Sequence, residues 1–339
     1  MKIVTFGEIM LRLQPPHYQR FTQAQSFDAH FGGGEANVAA SLAVLNHHAC
    51  FVSRLPSHEI GQSALNSLRS LGIDTHYVVR GGERLGIYYI EKGASQRPSQ
   101  VIYDRAYSSF SQSLSSDYDW NAIFEGADWF HFTGITPALG ENLISILTEA
   151  LKIAKEKKLT VSCDLNYRKK LWSKAKAHDV MHSLMPYVDV LIANEEDAQD
   201  VFDIKAEFSN ANQGKLNHES YINVAKELTN RYHFKQVAIT LRTSISASEN
   251  QWAGLLYVNH QSYFSPQYHM SIIDRVGGGD SFVAGLIHSS LKNSDFQTRI
   301  NFAVASSCLK HSIEGDINLS TEDEINRLMS GDGSGRVQR

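Results

Sequence analysis

The strongest constraint on the fold is the alternation of short apolar segments with amphipathic helices along this 339-residue chain. In the predicted helix 141–157, apolar residues recur every three or four positions, whereas the segments between the helices are short and mostly apolar. This alternation is typical of a mostly parallel sheet that helices cover on both faces. The strands predicted after the first, residues 2–6, are residues 49–55, 128–133, 160–164, 188–194 and 236–241. Ligands of such α/β folds bind at the carboxyl ends of the strands.

Two segments depart from this pattern and predict a small β lid. Residues 10–31 mix apolar, proline and polar residues without helical spacing. Residues 85–107 contain two β-prone runs that flank a turn-rich stretch, which predicts a hairpin. Residues 252–258 and 261–264 predict a further antiparallel pair within the remainder of the chain.

Composition excludes several classes of partner. A formal net charge of −4 with interspersed signs gives no broad basic field, so neither nucleic acid nor an anionic membrane is expected. Three widely spaced cysteines favour reduced thiols over a disulfide framework. An early acidic residue argues against a signal peptide, and no apolar run has transmembrane length. We therefore predict a cytoplasmic protein of one large or two ordinary domains.

The glycines Gly277, Gly278 and Gly279 immediately precede a predicted apolar helix. Consecutive glycines leave backbone amides unshielded, and the positive end of a helix dipole favours an anion beside them. Asp280 follows at the same helix start, where its carboxylate could act as a general base for a hydroxyl group. The competing interpretation is an N-capping aspartate after a flexible loop.

A second glycine cluster opens another helix near the start of the chain. Gly33 and Gly34 are followed by small residues, and Asn37 lies in the first helical turn, where it could hold a polar ligand group. Two such clusters, one near each end of the chain, suggest two ligands.

These segments resemble the two hallmark motifs of the ribokinase-like sugar kinases, also called the phosphofructokinase B-type family. The motifs are the early Gly-Gly-x-x-x-Asn and the late Asp-x-x-Gly-x-Gly-Asp, and the resemblance covers nearly the whole chain in the same order. It implies a three-layer α/β/α sandwich over residues 1–330, with a β lid at about 10–31 and 85–107 that covers the sugar. In that family such a lid often forms the dimer contact, which implies a homo-oligomer. Residues 331–339 are predicted to be a disordered tail.

Within this family the chain most resembles the 2-keto-3-deoxygluconate kinases. Their Tyr-x-Arg on the lid falls on Tyr103 and Arg105, and the arginine of their Asp-x-Asn-Tyr-Arg falls on Arg168; both arginines would meet the carboxylate and keto end of the substrate. Tyr88 falls on another aromatic residue that faces the substrate. The alternatives are an edge-strand charge for Arg105, a surface ion pair for Arg168 and a core position for Tyr88. The substrate-binding residues implied are Gly33, Gly34, Asn37, Tyr88, Tyr103, Arg105, Arg168 and Asp280.

The nucleotide side is implied by the same resemblance. Asn194 and Asp197 fall on the family's Asn-x-x-Glu, which organises Mg²⁺ and phosphate through water, but here the shorter aspartate replaces the final glutamate. These acids could instead simply lie in the first turn of a helix. The implied contacts to ATP are Asn194, Thr240, Arg242, Ser246, Gly277, Gly279 and Asn301, although Thr240–Ser246 lacks the glycine-rich turn that relatives commonly have. The loop 314–318, with backbone near Asp274 and Val276, is where relatives hold a monovalent cation such as K⁺.

The resemblance thus implies an ATP-dependent 2-keto-3-deoxygluconate kinase that phosphorylates the C6 hydroxyl to give 2-keto-3-deoxy-6-phosphogluconate. A kinase of a neutral sugar such as fructose or ribose is the nearest alternative. A nicotinamide-dependent oxidoreductase is a more distant one, because no Gly-x-Gly-x-x-Gly follows the first strand. A non-catalytic sugar sensor would be expected to lose Asp280, which is present.

Overall fold

The computed structural model describes residues 1–205 and 218–333, so residues 334–339 of the predicted tail lie outside the described residues. The strands, β1 to β14, are Lys2–Phe6, Met10–Gln14, Asp28–Gly32, His48–Leu55, Val78–Arg80, Ile87–Glu91, Gln100–Asp104, Trp129–Thr133, Thr160–Asp164, Val190–Ala193, Gln236–Ser244, Glu249–Val258, Gln261–Phe264 and Tyr268–Ser271. The α-helices, α1 to α11, are Gly34–Val44, Glu59–Ser70, Trp120–Ile123, Ile135–Ala138, Glu141–Glu156, Lys174–Leu184, Glu195–Phe202, His218–Tyr232, Gly278–Leu291, Phe296–Lys310 and Glu322–Met329. No helix within the described ranges is long and apolar enough to cross a membrane.

The main sheet confirms the predicted α/β class. Its strands run in the order β13-β12-β11-β10-β9-β8-β1-β4-β5, and β14 also pairs with β12. The neighbours from β11 to β5 are parallel, whereas β12 pairs antiparallel with β11, β13 and β14. The parallel strands therefore end at one edge, where their following loops meet.

Helices cover both faces of this sheet, which gives three layers. Side chains along β1 alternate between two apolar cores: Ile3 packs with α1, α2, α9 and α10, whereas Val4 and Phe6 pack with α5, α6, α7 and α8. Burial of both faces explains why the strands are almost continuously apolar in sequence. The face with α9 matters for the site because this helix begins at the carboxyl edge of the sheet.

The two segments predicted as a lid form a separate four-stranded sheet in the order β3-β2-β6-β7. The predicted hairpin is confirmed, since β6 pairs antiparallel with β7, and β2 pairs parallel with β6. Buried side chains attach this sheet to the main body: Arg12 of β2 contacts Asp274 and Asp316, and Tyr88 of β6 contacts Asp316. The inner strands β2 and β6 are thus fixed to the loop before α9 and to the loop after α10.

Candidate active site

A cavity of about 620 Å³ opens at the carboxyl edge of the main sheet, under the second sheet. Most predicted site residues line it: Gly33, Gly34, Asn37, Tyr88, Tyr103, Arg105, Arg168, Asn194, Asp197, Thr240, Arg242, Gly277, Gly279 and Asp280. A neighbouring cavity of about 1010 Å³ shares several of them and also exposes Lys169 and Lys170. Residues more than 240 positions apart in the sequence, such as Asn37 and Asp280, therefore meet in one site.

The glycine segment forms the N-terminus of α9, with Gly277 as its N-cap. Gly277 has a φ of 81°, and a Cβ there would lie 1.8 Å from the carbonyl oxygen of Asp316, so only glycine fits. Within the described residues, the amides of Gly277, Gly279 and Asp280 donate no hydrogen bond to the protein. A Cβ on Gly279 would meet open space. These free amides make the helix start suitable for an anion.

Gly278 does not share this role. Its amide points to the carbonyl of Arg275 at 3.4 Å, and a Cβ at this position would lie 2.4 Å from His311. The amide of Gly278 is thus less available to an anion than those of its neighbours, and the small size of this residue serves packing against His311 at the end of α10. The amide of Asp280 is free as well.

Asp280 is held by the other glycine-rich helix rather than by its own. Its carboxylate accepts a hydrogen bond of 2.7 Å from Nδ2 of Asn37, and it makes no capping bond because the N-cap of α9 is Gly277. The capping interpretation is thus wrong. Burial raises the pKa of Asp280 to about 7, with smaller contributions from Asp316 and Glu35. A carboxylate with such a pKa suits proton transfer at neutral pH.

Further acids surround Asp280. Asp197 is 6% exposed, accepts the amide of Tyr167 at 3.2 Å, and has its pKa raised by burial to about 7. Burial and the nearby Asp197 and Asp280 raise the pKa of Asp164 as well. Asn194 caps α7 by accepting the amide of Asp197 at 2.7 Å, so its side-chain oxygen is already in use.

The two predicted substrate arginines differ in their surroundings. Arg105 is 9% exposed, and its guanidinium forms two hydrogen bonds with the buried carboxylate of Glu8, one of them Nε to Oε2 at 2.9 Å. Arg168 is exposed and bonds only the carbonyl of Tyr167 at 3.4 Å, without an ion pair to any described side chain. Its charge lowers the pKa values of Asp164, Asp197 and Asp280, which places it beside all three. Arg168 is thus the arginine whose charge remains available to a ligand.

Tyr88 belongs to a buried cluster that sequence reasoning did not find. Its hydroxyl donates to Asp316, which also accepts Nη1 of Arg12 at 2.5 Å. Nη2 of Arg12 contacts Asp274 at 2.5 Å, and the Arg12 side chain is fully buried. The tyrosine hydroxyl is therefore engaged with the protein, while its ring lines the cavity. The sequence indicates this cluster only through Arg12, a charged residue at the centre of the short strand β2.

Glu35 was also missed by the sequence analysis. It is 2% exposed, and one carboxylate oxygen accepts the amide of Thr133 at 3.0 Å and the hydroxyls of Thr133 and Thr136 at 2.8 and 3.0 Å. A Cβ on Gly7 would lie 2.1 Å from its other oxygen. Glu35 therefore fixes the start of α1 against β8, and with it the position of Asn37.

Two cations mark another part of the cavity. Arg242 at the end of β11 and Arg275 before α9 both line it, and burial together with Arg242 lowers the pKa of Arg275. Two guanidinium groups that line one cavity are suited to a multiply charged anion such as a phosphate chain. Thr240 lies beside them along β11.

Two residues predicted to contact the nucleotide are not brought to the cavity. Ser246 lies in the turn between β11 and β12, where its hydroxyl accepts the amide of Ser248, and Ser244 lines the cavity instead. Asn301 of α10 accepts Nε2 of Gln297 on the outer side of that helix. Both predictions relied on chain position, which does not fix the direction of a side chain.

The loop expected to hold a monovalent cation contains a lysine ammonium group. Nζ of Lys310 donates to the carbonyl oxygens of Ile313 at 3.0 Å and Asp274 at 3.3 Å. The residues present therefore do not fit a bound K⁺ ion. In the described ranges, no group of three or more His, Cys, Asp or Glu side chains could hold a metal ion unaided.

Known proteins with similar sequences and structures agree with this architecture. The chain is 32% identical over 334 residues to a 2-dehydro-3-deoxygalactonokinase of Haloferax volcanii, covering 98% of both chains. It is 25% identical to a 2-dehydro-3-deoxygluconokinase of Thermoproteus tenax over 320 residues, 93% of this chain and 90% of the relative. A crystal structure of 2-dehydro-3-deoxygluconokinase from Thermotoga maritima superimposes with a TM-score of 0.95 at 52% identity, over 98% of this chain and all of the other.

The sequence profile of the pfkB family carbohydrate kinases matches residues 1–323, which include both glycine clusters and every residue that lines the cavity. A carbohydrate kinase is a phosphotransferase, so the nicotinamide-dependent alternative is wrong. The chain belongs to the pfkB family of carbohydrate kinases.

Proposed function

We propose that the protein is an ATP-dependent kinase of 2-keto-3-deoxygluconate, the compound also called 2-dehydro-3-deoxygluconate, and that it phosphorylates the C6 hydroxyl. The observation that carries the proposal is the position of Asp280, which lies beside the free amides of α9 and within the influence of the unpaired Arg168. One cavity thus contains a base, Asp280, and a cation for a substrate carboxylate, Arg168. It also contains the free amides at the start of α9, which we call the anion hole. The names of the similar proteins support the same substrate class.

Asp280 takes the proton of the C6 hydroxyl while the hydroxyl oxygen forms a bond to the γ-phosphorus of ATP. The bond between that phosphorus and the oxygen of the departing ADP breaks at the same time. The amides of Gly277, Gly279 and Asp280 stabilise the charge on the transferring group. Asn37 holds the carboxylate of Asp280 toward the hydroxyl through its bond of 2.7 Å.

The nucleotide phosphates lie along Arg242, Arg275 and Thr240 in this proposal, because two adjacent guanidinium groups favour a polyanion. Mg²⁺ would neutralise phosphate charge when bound; Asp197 would hold it through water, while Asn194 would position Asp197 by accepting its amide. A raised pKa of Asp197 fits that role, since a nearby divalent cation restores the ionised form.

The second sheet acts as a lid over the sugar. Its outer strand β7 also presents a surface for a second copy of the chain, because Ile102 is 53% and Tyr103 40% exposed, and the nearby Tyr107 is 80% exposed. Three free cysteines and the use of ATP fit a cytoplasmic enzyme.

Replacing Asp280 by asparagine keeps the shape of the site but removes the proton acceptor. We expect Asp280→Asn to lower kcat by roughly 10²- to 10⁴-fold while ATP still binds. Turnover is measured by ADP release with 2-keto-3-deoxygluconate, and nucleotide binding by calorimetry. Asp203→Asn, an exposed acid outside the cavity, is the control and should keep full activity. Near-normal turnover of Asp280→Asn would remove the assigned role.

The raised pKa of Asp280 predicts a pH dependence. Below about pH 7 the carboxyl group is protonated and cannot accept the hydroxyl proton, so kcat/KM should rise with pH through this value and then level off. Asp197 has a similar pKa, so the profile is also measured for Asp197→Asn, which should be slower but keep the rising limb. A wild-type profile that is flat between about pH 6 and 8 would contradict the role of Asp280 as base.

Arg168 decides between sugar acids and neutral sugars. Loss of the guanidinium leaves a substrate carboxylate without its partner, at a cost of roughly 2–5 kcal/mol when closure of the lid excludes water from this otherwise exposed contact. Arg168→Ala should therefore lower kcat/KM for 2-keto-3-deoxygluconate by roughly 30- to 5,000-fold, and any activity on fructose or ribose much less. Adding 2-keto-3-deoxygalactonate to the panel tests stereochemical tolerance.

The matched control for Arg168→Ala is Lys169→Ala. It removes a neighbouring positive charge that lines the cavity of about 1010 Å³ but not the cavity that contains Asp280. This variant should retain most of the activity on the sugar acid. If the wild type prefers a neutral sugar, or if Arg168→Ala slows acid and neutral substrates equally, the sugar-acid assignment is wrong.

Closure of the lid should be visible by hydrogen exchange. The inner strands β2 and β6 are anchored through Arg12 and Tyr88, and the turn 92–99 through Lys92 and Ser95, so closure is expected at the segments outside them, residues 15–27 and 100–104. Protection of these segments should increase with saturating 2-keto-3-deoxygluconate because closure excludes water. Helix α5, on the opposite face, serves as the internal reference. Unchanged protection in both segments would indicate a static scaffold.

A further inference from the structure

Lys310 is a fully buried lysine in the last turn of α10. Its ammonium group donates to two backbone carbonyls, those of Ile313 and Asp274, and forms no ion pair within 4 Å of a described carboxylate. A buried charge needs compensation, and here it comes from carbonyl dipoles and from the nearby carboxylates of Asp274, Asp316 and Asp280. The lysine is not exposed to the cavity, so it does not bind substrate directly.

The carbonyls that accept from Lys310 belong to the loop that leads into α9 and to the loop after α10 that packs against Gly277. Asp274 begins the segment that leads to Gly277, and Ile313 begins the loop that contains Asp316. The carbonyl of Asp316 lies 1.8 Å from where a Cβ of Gly277 would be, and Cε of Lys310 lies 3.3 Å from the same point. The lysine therefore packs directly behind the N-cap of α9 and joins the two loops that position its free amides.

Backbone carbonyls gathered around a single positive charge form the kind of site that binds K⁺ or Na⁺. In this chain the positive charge is covalently attached. We propose that the ammonium group of Lys310 acts as a built-in monovalent cation that positions the anion hole, so that the kinase, if its proposed function is correct, needs no dissolved K⁺ or Na⁺. The monovalent cation implied by the family resemblance would then have no role in this protein.

The charges around the site are consistent with a fixed cation. Arg12 neutralises the carboxylates of Asp274 and Asp316 from the lid side, which leaves the carbonyls for Lys310. Burial lowers the pKa of Lys310 to about 8, while Asp274 and Asp316 oppose this effect, so the group remains mostly protonated at neutral pH. A cation behind the start of α9 also adds to the positive potential at the free amides.

A lysine at a helix C-terminus can also be purely structural, because cations there interact favourably with the helix dipole. The two roles differ in one respect. The loss of a built-in cation can be repaired by a dissolved ion that enters the same carbonyl site, whereas the loss of a structural side chain cannot. Rescue by a monovalent cation is therefore the decisive readout.

The first test uses the unmodified protein without substrate, so it does not depend on the proposed reaction. Thermal unfolding is followed in tetramethylammonium chloride, whose cation is too large for the site, and after its replacement by KCl, NaCl or NH₄Cl at constant ionic strength. We expect the same Tm in all four salts. A saturable rise of Tm with K⁺ or NH₄⁺ would show that the protein binds a free cation and would overturn the proposal.

The second test uses Lys310→Met, which keeps an unbranched side chain but removes the charge. We expect its Tm in tetramethylammonium chloride to be lower and to recover saturably with K⁺ or NH₄⁺. Its kcat should fall by about 10-fold or more, less than the 10²–10³ typical of losing a direct donor, and should recover with the same ions. Lys155→Met, in the last turn of α5, is the matched control and should show no cation response.

A folded Lys310→Met protein that no cation stabilises or reactivates would overturn the proposal. If this variant does not fold, the effect of K⁺ and NH₄⁺ on the Tm of the wild type still tests the proposal. If the wild type phosphorylates no sugar acid but the Tm results are as expected, the proposed substrate fails while the role of Lys310 stands.

Discussion

The structure depends most on the buried guanidinium of Arg12, which joins three parts of the chain that are remote in sequence. Asp274 and Asp316, its partners, are 262 and 304 residues away, and both ion pairs are almost completely excluded from solvent. Removing one member of such a cluster leaves an uncompensated buried charge, which typically costs 3–5 kcal/mol. The inner strand β2 of the second sheet and the segment that leads into α9 are therefore fixed to each other through Arg12.

The electrostatic character of the cavity follows from the same arrangement. Asp164, Asp197 and Asp280 converge on it, and burial raises the pKa of each. Several carboxylates in one partly desolvated site cannot all ionise freely, since like charges disfavour one another. The site is thus poised between protonated and ionised states until cationic groups enter or approach it.

The main sheet and the glycine clusters are predictable from the sequence because their signals are local. Strands that are buried on both faces appear as apolar segments, and glycines before an apolar helix indicate an anion site. The contacts of Arg12, Glu8 and Lys310 are not predictable, since each depends on partners that only the fold brings near. Gly278, Ser246 and Asn301 do not line the cavity, because the position of a residue along an element does not determine which way its atoms point.

Arg105 and Arg168 show how the structure changes a functional argument. In the sequence both are arginines at positions suited to a substrate carboxylate, yet Arg105 already forms two hydrogen bonds with the buried Glu8. A substrate carboxylate could recruit Arg105 only by competing with Glu8, whose own charge would then be left buried and unpaired. Arg168 can bind a substrate carboxylate without this cost, because no described side chain forms an ion pair with it. In the proposed function, discrimination between a sugar acid and a neutral sugar therefore rests mainly on the guanidinium group of Arg168, whereas Arg105 fixes the end of β7 against Glu8 at the end of β1.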